Sequence, residues 1–276
     1  MRKLALTLAL LLPLAAAAQN EYGGGTRLSV AAEYKIRKGL HVNVEEEIRI
    51  SGVFQGLNRL QTTVGVDYKP TKFLKLGAGY ILINPYDGVN RSFKAPRHRI
   101  YLDATGHVTW NNFSFSLKER AQFTHRTGTF NVYQNTPNAF AIKSRIGVEY
   151  KGWAYFEPGI FLEIRTQLNA PWGDVLDDNG QPIYQDYEKY RKIKDDGTTY
   201  YNYKPTGYSH VYNDRYRLIF RTDIKLSDHH VLQPYALVDF YSPYVIDTNA
   251  EGTRLFTAAY VNQRNVNVGI SYTFKF

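Results

Sequence analysis

Polar and apolar residues alternate with a two-residue period through most of the chain. In the last stretch, Val266, Val268, Ile270, Tyr272, Phe274 and Phe276 alternate with Asn265, Asn267, Gly269, Ser271, Thr273 and Lys275. One face is apolar and aromatic and the other polar, which marks a β-strand. Its length suits a tilted strand crossing a bilayer, which takes about 9–11 residues. The alternation recurs over 28–36, 40–50, 60–68, 74–82, 100–108, 113–123, 142–150, 156–164, 216–224 and 232–240.

The connections alternate in length. Short turns centre near Lys38, Thr71, Asn111, Gly152 and Asp228, and longer links run over 51–58, 84–97, 126–139, 167–212 and 242–262. Short turns at one end and long loops at the other are the layout of an antiparallel up-and-down transmembrane β-barrel. The expected fold is therefore all-β. Bacterial single-chain barrels have even strand numbers. About twelve strands are expected, with ten as the alternative and a hidden crossing in 167–212 or near 254–261. Centring the turns places Asp67 opposite Lys75, a cross-strand ion pair.

Alternation does not say which face is inside. A soluble lipocalin-like barrel turns apolar residues inward, and a membrane barrel turns them outward. The polar face carries Glu45, Glu47, Arg49, Arg99, Arg120, Arg145, Glu163 and Arg217, both signs of charge suited to pairing across a narrow lumen. Aromatics such as Tyr68, Tyr80, Trp110, Tyr150, Trp153 and Tyr272 sit near strand ends, as at membrane interfaces. Both features favour the membrane. Barrels of about eight strands are filled by side chains and those of sixteen or more hold aqueous channels. A lumen of intermediate size lined by long charged residues is expected to be mostly occluded. Its Arg and Lys excess gives any conductance an anion preference.

Composition adds the compartment. Arg2 and Lys3 precede an apolar run over 4–14, and Ala16, Ala17 and Ala18 precede Gln19. This reads as a signal peptide, residues 1–18, cleaved to leave a barrel over 19–276. The absence of cysteine excludes a lipid-modified N-terminal cysteine, disulfides and thiolate metal sites. The formal charge of +9 favours anionic partners such as lipopolysaccharide. It is spread along strands rather than gathered in a patch, which argues against nucleic acid.

The segments 59–69 (RLQTTVGVDYK) and 73–80 (FLKLGAGY), with Glu45–Glu46–Glu47–Ile48–Arg49, Pro96–Arg97–His98–Arg99 and Gly269–Ile270–Ser271–Tyr272, resemble an uncharacterised family of outer-membrane proteins of Gram-negative bacteria, domain of unknown function 2490. The ending at Tyr272, Phe274 and Phe276 is similar to the signature through which the barrel-assembly machinery recognises outer-membrane proteins. These resemblances imply a bacterial outer-membrane location and contact with its lipid, and carry no activity with them.

Candidate chemistry is sparse. There is no phosphate-cradling motif and no cofactor is expected. The run 177–180 has Val175 where an EF-hand needs an acid, and His229–His230 reads as a solvated turn, so no metal is expected. Turn centring places His107 opposite Ser114, read as a cross-strand hydrogen bond or, alternatively, the start of a lipid-hydrolase nucleophile pair. Glu46 and Glu119 fall on the apolar face. The expectation is a bulge that swings each inward, the alternative a functional acidic pair. Tyr184, Tyr187, Tyr190, Tyr200, Tyr201 and Tyr203 crowd 167–212, a long extracellular loop or a strand extension turning at 194–197, with binding of glycans or proteins as its potential role. The expected protein is a non-catalytic monomeric barrel, a narrow channel or a structural or surface protein. The alternatives are a lipid hydrolase and a surface-binding protein using 167–212.

Overall fold

The computed structural model describes residues 23–52 and 55–276. The expected signal peptide lies outside the described residues. Eleven long strands form the wall: β1 (Gly23–Arg37), β2 (Leu40–Ser51), β3 (Gly56–Tyr68), β4 (Leu74–Asp87), β5 (Arg97–Trp110), β6 (Phe113–Arg126), β7 (Asn138–Tyr150), β8 (Phe156–Leu176), β9 (Thr199–Lys225), β10 (His230–Tyr241) and β11 (Gln263–Lys275). Each pairs antiparallel with the next. β11 then pairs parallel with β1, from Gly23 against Asn265 to Glu33 against Lys275, and closes the barrel.

The expected twelfth crossing is therefore absent from the wall. β1 uses both its edges, one on β2 and one on β11, so no further strand has a place between them. An up-and-down meander with an odd strand number brings its last strand back in the direction of its first, which makes the seam parallel. The regions expected to hide a crossing do hold strands, but off the barrel. Tyr244–Thr248 and Arg254–Tyr260 form a hairpin between β10 and β11. Residues 199–212 lengthen β9, which pairs with β8 as far as Asn202 against Leu176. At the tip, Lys192–Ile193 folds back on Tyr200 and Thr199 around a turn in which the Gly197 N–H donates to Lys194 O at 2.9 Å.

Apolar residues face out. Val30 and Leu102 are 61% and 66% exposed, whereas Asp239 and Arg217 are 4% and 8% exposed. This is the inverse of a soluble barrel and the arrangement of a transmembrane one. Glu46 and Glu119 keep to the outer face. The ladders run without a bulge through both positions, which corrects the expected inward swing. Each carboxylate instead accepts a hydroxyl from the residue directly across the pair, Thr62 at 3.0 Å and Ser144 at 2.7 Å. The two acids lie on β2 and β6, four strands apart around the wall, about 19 Å at the usual strand spacing, so they form no pair.

Inward glycines lie under aromatic rings. A Cβ at Gly147 would collide with Cδ1 of Phe161, and one at Gly269 with Cζ of Tyr235. Tyr101, Phe161, Ile219 and Leu237 are buried inside the barrel. Arg120 stacks over Tyr101 at 4.0 Å and Arg221 over Phe161 at 4.2 Å.

Candidate functional site

The residues expected in the lumen all sit on the inward face. Arg49 donates to Glu47 at 2.5 Å. Arg120 forks onto Asp103 at 2.6 and 2.7 Å. Arg217 forks onto Asp239 at 2.5 and 3.1 Å and reaches Glu163 at 3.4 Å. Arg99 donates to the Thr124 hydroxyl at 2.8 Å, and Arg145 lies 5.4 Å from the Phe161 ring centre. Glu45 stands between Ala31 and Thr63. The Asp67–Lys75 ion pair forms at 2.9 Å, but diagonally, because Asp67 lies directly across from Gly77.

Above this packed region, toward the long links, is a cavity of about 500 Å³. Its wall carries Arg27, Arg49, Arg59, Arg97, Arg99, Arg126, Lys143, Arg165, Arg215 and Arg217, and a single carboxylate, Asp239. The positions follow from register. β1 sets Arg27 directly across from Arg49, and β3 sets Arg59 on its other side. Arg97 faces Arg126, and Lys143, Arg165 and Arg215 run side by side across β7, β8 and β9. Of these ten, only Arg49, Arg99 and Arg217 belong to the lumen cluster expected from the sequence. A usable signal was present: reflecting Arg27 through the Lys38 turn lands on Arg49.

At the loop end, β8 and β9 rise beyond the paired lengths of β7 and β10. Trp172, His210, Tyr212, Tyr244 and Tyr260 cluster there, with His210 stacked 4.5 Å from Trp172 and 4.9 Å from Tyr212. Tyr260 OH and His210 Nε2 are 3.2 Å apart. Burial among these rings holds the His210 imidazole below its ordinary value. Of the six tyrosines expected as a surface, Tyr184 and Tyr187 are exposed, while Tyr190, Tyr200 and Tyr201 are half-buried. Tyr203 is not a surface residue. It packs against Ile246 and Leu255 of the accessory hairpin and is 5% exposed. That hairpin is tied down from 127–137: Asn131 Nδ2 donates to the Thr248 hydroxyl at 3.1 Å, and Gln134 Nε2 to Asp247 at 2.8 Å.

His107 faces Ser116, not Ser114, because β5 and β6 join through the two-residue turn Asn111–Asn112. Ser114 lies across from Thr109. Among the described residues, no group of three or more His, Asp or Glu is placed to hold a metal ion. His229 donates to Lys275 O at 2.7 Å, and His230 pairs separately with the Tyr272 hydroxyl at 2.5 Å.

A family model described as a protein of unknown function (DUF2490) matches residues 25–179. The chain belongs to the DUF2490 family. The DUF2490 match runs from β1 through β8 and takes in eight of the ten cationic wall residues, all but Arg215 and Arg217. No curated protein sequence matches. Among solved structures, the outer-membrane expressed OmpT of Vibrio cholerae is similar, with 8% identity and a TM-score of 0.34, over 82% of this chain. The chain spans 58% of that protein's length.

Proposed function

We propose that this DUF2490 protein is a non-catalytic barrel of the bacterial outer membrane that draws small anions into its lumen from the loop side and passes them as a narrow, slow channel. One observation carries the reading: the loop-end cavity is lined by ten cations and one carboxylate. Such a wall attracts anions and repels cations. The apolar outer face is the surface for outer-membrane lipid, with lipopolysaccharide beside it, and β11 with Phe276 is the segment for the assembly machinery. The barrel acts as a monomer.

Planar-bilayer conductance of the refolded protein tests this. Small steps with a reversal potential on the anion side are expected. Replacing Arg27, Arg59 and Arg99 together by Gln is expected to move that potential toward cations. The choice differs from Arg120, whose charge Asp103 already compensates. Cation preference in the unaltered protein, or no shift in the variant, would sink the reading.

A further inference from the structure

The loop-end cavity holds more positive charge than its own carboxylates balance. Arg49 pairs with Glu47, Arg165 with Asp214, Arg217 with Asp239, and Lys143 reaches Glu163 at 4.0 Å. Among the described residues, Arg27, Arg59, Arg97, Arg99, Arg126 and Arg215 have no such partner. Five like-charged pairs stand directly opposite one another: Arg27–Arg49, Arg49–Arg59, Arg97–Arg126, Lys143–Arg165 and Arg165–Arg215. Opposed positions on a sheet hold their Cβ atoms about 4.5–5.5 Å apart, and like charges there destabilise the pair. The buried Nε atoms of Arg126 and Arg215 have no hydrogen-bond acceptor. A barrel with this wall is completed by an anion.

The wall also says which kind of anion. All six cations without a carboxylate are arginines. The guanidinium fork matches oxyanions with two parallel hydrogen bonds, whereas a halide needs only a point charge. Six such groups exceed what one singly charged ion compensates. The cavity, about 500 Å³, lies within the range of small-molecule pockets, about 300–1,000 Å³, and is larger than one inorganic phosphate needs. Gln122 lines it at 6% exposure with a carboxamide oxygen that has no donor. An acceptor buried in an arginine-lined cavity calls for a ligand that carries hydroxyls as well as charge.

We infer that the cavity is a binding site for a free, multiply charged phosphate ester of a polyol or sugar, its phosphates held by Arg27, Arg59, Arg97 and Arg126 and a hydroxyl donated to Gln122. This rests on the reading of the lumen as an anion pathway and names what lodges there. The ligand is free and not lipid-linked, because every wall strand is paired on both edges and acyl chains have no lateral way out of the lumen.

Titration calorimetry of the refolded full chain in detergent tests it, with fructose 1,6-bisphosphate, inorganic pyrophosphate and inorganic phosphate as probes. One saturable site per barrel is expected, strongest for the bisphosphate and weakening as salt rises. Arg59→Gln with Arg97→Gln is expected to weaken it about tenfold or more, the scale of a lost charged hydrogen bond. Arg191→Gln, at an exposed position away from the lumen, is expected to leave it unchanged. Gln122→Leu alters no charge and is expected to erase the preference for the bisphosphate over pyrophosphate, which keeps the inference testable if the arginine variant misfolds. No saturable heat with any probe, equal binding by the arginine variant, or binding of lipid A micelles without competition by the free ester overturns the inference. Anion-selective conductance without saturable binding overturns this inference alone. Saturable binding by a barrel silent in bilayers overturns only the channel.

Discussion

Thr62 lies directly across the β2–β3 pair from Glu46 and donates its hydroxyl to that carboxylate at 3.0 Å on the outer face of the wall. Ser144 serves Glu119 in the same way at 2.7 Å. A carboxylate facing lipid is costly, and the cost grows when its hydrogen-bond partner is removed. Thr62→Val leaves Glu46 without that donor and is expected to destabilise the barrel by about 1–3 kcal/mol. Adding Glu46→Leu is expected to restore the stability, because an apolar pair suits the outer surface. Urea unfolding in lipid vesicles measures both. Equal stability of Thr62→Val and the unaltered protein would show that the hydroxyl does not support the carboxylate.

Gly147 and Phe161 are directly opposite each other on β7 and β8, and the ring lies over the glycine. A Cβ there overlaps the ring, so any side chain must push Phe161 out of a position where it is 2% exposed. Overpacking of this kind costs about 1–3 kcal/mol or more. Gly147→Val is expected to lower the yield of folded barrel, read as loss of the heat-modifiable band on electrophoresis. Gly147→Val combined with Phe161→Ala is expected to recover part of it. Gly106 is the control, because a Cβ there would meet no heavy atom within 4 Å, and Gly106→Ala is expected to fold normally.

Much of this fold is legible in the alternation, because a period of two fixes both the strands and the face each residue takes. The turn at Lys38 also fixes the register of Arg27 and Arg49, so part of the cationic wall was within reach. Three features were not. Alternation carries no information on how the first and last strands meet, so the parallel seam stayed hidden behind the even-number rule. Asn111, at φ 50°, closes a two-residue turn, and centring that turn one residue too early set His107 opposite Ser114, two residues along β6 from its true partner Ser116. Tyr203 looked like a surface tyrosine because its cover, Ile246 and Leu255, comes from a hairpin distant in sequence.

His210 ties pH to the loop end. It stands in the part of β9 that rises past the paired length of β10, among Trp172, Tyr212, Tyr244 and Tyr260. Burial lowers its pKa from the ordinary 6.5, so the folded cluster favours the neutral ring. The unfolded cluster takes up its proton first as pH falls. The stability from this packing is therefore fully present above about 6.5 and is lost as pH drops from that value through the lower folded one. Trp172 stacks on the imidazole and reports the change, since a protonated imidazole quenches an indole in contact with it. In a Trp110→Phe, Trp153→Phe background, fluorescence is expected to fall on acidification with a midpoint below 6.5. His210→Gln is expected to flatten the curve, and limited proteolysis within 177–198 is expected to quicken over the same pH range in the unaltered protein only. A midpoint at or above 6.5 would mean that the ring is solvated and that the cluster does not hold β8 and β9 together.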